Sequence, residues 1–335
     1  MFWHSLSGKS VQCELCLHEC KILDGKIGIC GVRKNIDGKL HTLIYGMCSS
    51  THPDPIEKKP LYHFYPGTYV FSLGTIGCNF RCPFCQNSEI SQEYENISQR
   101  KITPEEAIKD AKRYSCNGIA WTYNEPTIWF EYTYDSAILA KKNKLYTVYV
   151  TNGYINEEPL KKIAPYLDAM NIDIKAFSEN FYQKLCKAKL KNVLSTCKLA
   201  KKLNIHVELT YLIVPTQNDN PDEIKNFCRW VADELGKETP CHFSRFHPDY
   251  KMTETYPTPM ETLVTAYKIA KEEGLQNVYL GNIVDEKYES TYCPKCGNAV
   301  INRTGYDIET KYTVENRCEK CNEILPIVTN DLKKM

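Results

Sequence analysis

Gly77-Cys78-Asn79-Phe80-Arg81-Cys82-Pro83-Phe84-Cys85-Gln86-Asn87 sets three cysteines in the spacing C-x3-C-x2-C. Three thiolates so placed grip one small metal cluster without saturating it. A [4Fe-4S] cube has four irons, so Cys78, Cys82 and Cys85 would leave one iron open to a ligand. A loop of free surface thiols and a three-ligand zinc site are the plainer alternatives. Pro83 restricts the loop backbone, and Phe84 sets an aromatic ring beside the last thiolate, where a planar ligand would pack. The preceding run Tyr69-Val70-Phe71-Ser72-Leu73 reads as a strand, so the loop leaves a strand end, where barrel enzymes place their chemistry.

Downstream, strands alternate with helical segments, the pattern of parallel β/α units. Strands are expected at 69–76, 118–123, 146–151, 169–175, 206–214, 241–246 and 277–283. Thr103-Pro104-Glu105-Glu106, Asn220-Pro221-Asp222-Glu223 and Thr258-Pro259-Met260-Glu261 carry helix-start signals. In Asn171-Ile172-Asp173-Ile174-Lys175 the isoleucines face one way and the polar residues the other. Glu208 and Thr210 share a face in the same manner. A dry barrel would favour branched apolar residues there, so this interior is expected to hold a polar ligand; an Asp173–Lys175 ion pair without a ligand is the competing reading. Pro126 keeps Glu125 extended at the end of Trp121-Thr122-Tyr123-Asn124-Glu125, turning its carboxylate toward a cationic amine. Thr151-Asn152-Gly153 closes the next strand with polar groups. Ser244-Arg245-Phe246-His247 brings a guanidinium and a base to the rim, with His247 a candidate for moving a proton and a structural role its alternative.

The cysteine loop resembles that of the radical S-adenosylmethionine (SAM) enzymes, and from the first cysteines through Asp54-Pro55-Ile56-Glu57-Lys58-Lys59-Pro60 the chain resembles the radical SAM enzyme of the AmmeMemoRadiSam system. Tyr123-Asn124-Glu125-Pro126 occupies the place of the family's Gly-Gly-Glu, and Thr151-Asn152-Gly153 and Asp173-x-Lys175 resemble segments of the pyruvate formate-lyase activating enzymes. The resemblance implies a partial (β/α)6 TIM-like barrel. It implies a [4Fe-4S] cluster on Cys78, Cys82 and Cys85 whose open iron binds SAM. Phe84 would lie near adenine, and Tyr123, Asn124, Glu125, Asn152, Asp173, Lys175 and Glu208 would shape the SAM pocket, with Lys175 and His247 as catalytic candidates. It also implies hydrogen abstraction by a 5'-deoxyadenosyl radical from a protein or peptide, an electron donor such as ferredoxin or flavodoxin, and other proteins of the AmmeMemoRadiSam system as partners. Modification of a small metabolite or RNA is an alternative, and a non-catalytic electron-transfer or metal-binding scaffold is another.

Upstream, Cys13, Cys16, Cys20 and Cys30 follow the spacing C-x2-C-x3-C-x9-C, enough for a zinc site or a second [4Fe-4S] cluster, with buried free thiols as the alternative. His18 between them is a candidate substitute ligand. The four prolines at 53, 55, 60 and 66 predict an extended connector. Near the end, Cys293-x2-Cys296 and Cys318-x2-Cys321 form a zinc-ribbon pattern that iron would also fit. The expected layout is a cysteine-rich segment at 1–50, the connector at 51–68, the barrel at 69–285, the ribbon at 286–328 and a tail at 329–335.

Composition narrows the setting. Forty-two basic against 41 acidic residues leave a net charge of +1, which argues against nucleic acid or an anionic membrane as partner. No apolar stretch approaches the roughly 20 residues of a membrane span. Seventeen cysteines with no signal-peptide pattern point to metal ligation in the reducing cytoplasm. Those outside the clusters, Cys48, Cys116, Cys186, Cys197, Cys228 and Cys241, are expected to be small buried apolar residues.

Overall fold

The computed structural model of the chain describes residues 1–313 and 315–329. Apart from Thr329, the expected tail lies outside the described residues. Among them, the central sheet has eight strands: β1 (Ser50–Pro55), β2 (Tyr69–Gly74), β3 (Gly118–Trp121), β4 (Tyr146–Thr151), β5 (Ala169–Asp173), β6 (His206–Ile213), β7 (Cys241–Arg245) and β8 (Val278–Gly281). They pair in sequence order from one edge to the other, and β2 to β8 are all parallel. The parallel set therefore has seven strands, one more than a (β/α)6 unit supplies.

β1 pairs antiparallel with β2, Pro53 opposite Phe71 and Pro55 opposite Tyr69. Its prolines predicted an extended connector, and the segment is extended: proline is tolerated on a sheet edge, where its missing N–H breaks no ladder bond.

Helices α1 (Pro104–Arg113), α2 (Phe130–Lys142), α3 (Glu157–Ile163), α4 (Leu190–Lys202), α5 (Pro221–Glu234) and α6 (Met260–Glu272) connect the parallel strands. At α1 the Thr103 side chain accepts the Glu106 N–H and Glu106 answers at the Thr103 N–H, a complete capping box. Asn220 caps α5. Thr258 does not cap α6: its hydroxyl donates to the Ile213 carbonyl and accepts the Phe246 N–H, tying two strand ends together.

Ahead of the sheet, strands Trp3–Ser5, Val11–Cys13 and Lys21–Ile22 pair with one another, and Arg33–Ile36 pairs with Lys39–Thr42 across an Asp37-Gly38 turn, where both residues have positive φ. Behind it, Thr291–Tyr292, Ala299–Thr304 and Asp307–Thr310 form an antiparallel sheet. Its fully buried Arg303 donates to the Tyr62 carbonyl at 2.7 Å and lies 3.9 Å from Glu57, and the Val328 N–H bonds the His63 carbonyl at 2.7 Å. The residues between β1 and β2 thus join the C-terminal sheet to the central one.

Candidate active site

Because parallel strands end on one side of the sheet, the residues just past their C-terminal ends meet. Here they enclose a cavity of about 520 Å³ lined by Cys78, Cys82, Phe84 and Cys85 from the loop after β2. Tyr123, Asn124 and Glu125 line it after β3, Asn152 after β4, and Asp173 and Lys175 at the end of β5.

The loop is held from several sides. Asn124 donates from Nδ2 to the Gly77 carbonyl at 2.8 Å and accepts the Thr75 N–H at 3.2 Å. Asn152 Nδ2 reaches Asn79 Oδ1 at 2.8 Å and the Cys78 sulfur at 3.8 Å. Gly77 has φ of +82°, and a Cβ there would stand 2.7 Å from the Cys30 carbonyl oxygen, so only glycine fits. Burial pushes the Cys78 thiol up. Contact with Cys186, then burial, does the same to Cys82. Cys186 closes a π-helical turn, Tyr182–Cys186, and its carbonyl accepts the Arg81 N–H at 3.1 Å. Expected to be filler, it lies beside a ligand thiol.

Glu125 is buried and bridges two strand ends, accepting from Thr127 N at 2.9 Å, Thr151 Oγ1 at 2.7 Å and Asn152 N at 2.8 Å. Burial raises its carboxyl pKa against these donors. Asp173 and Lys175 pair at 2.7 Å. Burial opposes the Lys175 charge, but the Asp173 carboxylate outweighs it and lifts the pKa above the usual lysine range. The ion pair weighed as an alternative does exist, and it sits on the cavity wall.

Two residues depart from expectation. Glu208 does not line the cavity: it accepts the Tyr62 and His63 N–H groups at 3.0 and 2.7 Å and contacts His206 and His242 Nε2 at 3.0 and 2.7 Å. It shares a face with the cavity residue Thr210 but sits two residues, about 7 Å, further from the strand end. Burial would raise its pKa; the histidines overcome that and hold it well below the carboxylate range. His247 is exposed on the rim, 3.9 Å from Asp249, and takes no part in the cavity wall.

Lys59 also lines the cavity, and the sequence did not point to it as a site residue. Lys59, fully buried, pairs with Asp54 at 2.7 Å and stands 4.6 Å above the Tyr123 ring, while the Tyr123 hydroxyl donates to Asp54 at 2.6 Å. Tyr123 has φ of +73°, an uncommon strain for a bulky residue. Burial lowers the Lys59 pKa to about 8 despite Asp54. The Asp54 to Pro60 motif was noted, but sequence spacing alone did not bring Lys59 into the site.

Elsewhere, Cys293 and Cys321 sulfurs lie 3.6 Å apart and those of Cys296 and Cys318 3.7 Å apart. Four tetrahedral metal–sulfur bonds of about 2.3 Å would place sulfurs about 3.8 Å apart, so these four fit a single ion such as zinc. Among the described residues no other group of three or more such donors lies within 4.8 Å. Cys78, Cys82 and Cys85 are not such a group, and a cube, whose thiolates bind different irons, suits their spacing in the chain.

Residues 73–231, which include the loop and the cavity residues on β3 to β5, match the Radical SAM superfamily. The chain is 51% identical to an uncharacterized protein of Methanocaldococcus jannaschii, over 98% of both chains. It is 22% identical to the pyruvate formate-lyase 1-activating enzyme of Escherichia coli, over 59% of this chain and 87% of that one. In fold it is similar to a radical SAM methyltransferase from Sphaerobacter thermophilus, with a TM-score of 0.51 and 14% identity over 65% of this chain and 67% of that one. With the three-thiol loop at the mouth of a polar cavity and a superfamily match that spans it, the chain belongs to the radical SAM superfamily, which implies a [4Fe-4S] cluster and SAM as its cofactors.

Proposed function

We propose that the protein is a radical SAM oxidoreductase similar to the pyruvate formate-lyase activating enzymes, with a protein or peptide as substrate and a place in the AmmeMemoRadiSam system. When bound, the cluster supplies the electron that cleaves the SAM sulfonium and so provides a 5'-deoxyadenosyl radical for hydrogen abstraction.

The residues around it bind and orient. Cys78, Cys82 and Cys85 would hold three irons, and Phe84 offers a ring face to adenine. Glu125 has its oxygens fixed by three donors, so it ties the ends of β3 and β4 together and keeps the SAM ammonium side of the cavity rigid. Asn152 steadies the Cys78 sulfur, and Asp173 and Lys175 present a paired carboxylate and ammonium to the polar groups of SAM. Lys59 offers a second cation for a carboxylate. The cavity shields the radical from water, a condition of controlled hydrogen abstraction. A ferredoxin or flavodoxin would supply the electron, and the cytoplasm would keep the thiols reduced. No helix among the described residues is long and apolar enough to cross a membrane.

The observation that carries this reading is the meeting of three thiols with polar residues from three successive strand ends in one cavity. Anaerobic, reduced protein given SAM is expected to release 5'-deoxyadenosine, and Cys82→Ala to release none. Equal release by the two would overturn the proposal.

A further inference from the structure

The four N-terminal cysteines converge from separate turns. The Cys13 N–H bonds the Cys20 carbonyl at 2.9 Å, and the Cys20 sulfur lies 3.8 Å from where Gly28 would carry a Cβ, two residues before Cys30. All six pairs among the four thiols interact electrostatically. Each is a free thiol, and Cys13, Cys16 and Cys30 are buried. At these three the backbone N–H two residues on, from Leu15, His18 and Val32, bonds the sulfur. The same arrangement holds at Cys78 with Phe80 and Cys85 with Asn87. Each of these donors pulls toward the thiolate, while burial, the larger effect, pushes the thiols of Cys13, Cys16 and Cys30 up.

Spacing separates the candidate metals. The ribbon sulfurs stand at single-ion distances, whereas among the described residues the N-terminal four form no such single-ion group. Four thiols that converge without forming one suit a cube with one thiolate per iron. A second observation agrees. Arg33, 2% exposed, acts electrostatically on Cys13 and Cys30, and its Nε is buried with no hydrogen-bond partner, although the far end of its guanidinium binds Glu131. A buried cube with four thiolates is anionic, and a buried guanidinium with a spare N–H complements it.

We propose that Cys13, Cys16, Cys20 and Cys30 ligate a second [4Fe-4S] cluster, closed to substrate, that passes electrons to the catalytic loop. The site stands on its own geometry; its role as a relay rests on the radical SAM reading. The two regions touch: the Cys30 carbonyl packs on Gly77, His18 Nε2 contacts the Asn79 carbonyl at 2.7 Å, and Arg81 donates to the Ile29 carbonyl. His18 thus ties the N-terminal segment to the loop through Nε2. In the relay, one electron from a low-potential iron–sulfur or flavin protein takes the N-terminal cluster from the 2+ to the 1+ state. The same electron then reduces the loop cluster from 2+ to 1+ and returns the first to 2+.

The test is iron, acid-labile sulfide and zinc content of anaerobically reconstituted full-length protein, with Mössbauer and EPR spectra. Wild type is compared with a Cys78→Ala/Cys82→Ala/Cys85→Ala variant and with Cys16→Ala/Cys20→Ala. Wild type is expected to hold about eight irons and either variant about four, as [4Fe-4S]. Four irons in wild type and none in the loop variant would overturn the second cluster and leave the radical SAM reading intact. Four in both of those would keep the second cluster and remove the one on the loop. Zinc without sulfide at the N-terminal site would also overturn the proposal. Should the N-terminal variant fail to fold, the loop variant still decides, and Arg33→Leu in that background is expected to lower the potential of the remaining cluster. For the relay, EPR of fully reduced wild type should show magnetic interaction between the two clusters, absent in the loop variant; non-interacting signals would overturn it.

Discussion

Lys59 shows how a single side chain escapes sequence reading yet shapes the site. Its motif is legible, but its entry into the cavity depends on β1 lying antiparallel along the sheet edge and returning the chain over the strand ends. With a pKa lowered to about 8, it loses charge as pH rises through that value. If Lys59 binds the SAM carboxylate, the KM for SAM rises between pH 7.5 and 9 in wild type and is higher and independent of pH over that range in Lys59→Gln. A wild-type KM flat across that range would dismiss the role. Cys186 is a second case, legible only as a buried thiol until the π-helical turn sets it against Cys82. Hydrogen bonds to ligand sulfurs raise cluster potentials. Cys186→Ala is therefore expected to keep full iron content while shifting the loop cluster's potential negative; loss of iron would instead make Cys186 part of its binding. The cysteine loop, Asn152 and the Asp173–Lys175 pair were readable because each lies at a strand end whose alternation is plain. Glu208 was misplaced because alternation gives the face of a residue but not its depth.

Local chemistry made most elements legible. Apolar runs marked the parallel strands, and proline with acidic residues marked the helix starts. The capping box at Thr103 satisfies two N–H groups of α1, so Thr103→Ala should cost about 1 kcal/mol in chemical denaturation and leave SAM cleavage unchanged. A change in cleavage would show that α1 does more than support β2 and β3. Thr258 carries the same signal at α6, yet tertiary bonding to Ile213 and Phe246 takes its hydroxyl. The proline-rich stretch was legible as extended but not as a paired strand: proline reports local backbone limits, whereas the pairing of β1 comes from a partner strand.

On the scale of the whole molecule, three cysteine clusters surround one sheet, and only their spacing was visible in the sequence. Docking was not, because it runs through Arg303, a residue with no distinctive neighbours in the chain. Arg303 and Glu57 are both buried, and burial already raises the Glu57 pKa against the pull of Arg303. Arg303→Met should destabilise the protein by about 3–5 kcal/mol by leaving that carboxyl alone. In the variant the folded pKa of Glu57 rises further above its unfolded value of about 4.3, so stability falls as pH climbs from there to the folded pKa. The loss should thus be smaller at pH 5 than at pH 7.5; a loss independent of pH would assign it to packing. The most direct test of the central claim is EPR of the anaerobically reduced protein with and without SAM. A reduced-cluster signal that changes on adding SAM, and is missing from the Cys78→Ala/Cys82→Ala/Cys85→Ala variant, is the predicted result. A SAM response that survives in that variant would contradict the assignment of the open iron to this loop.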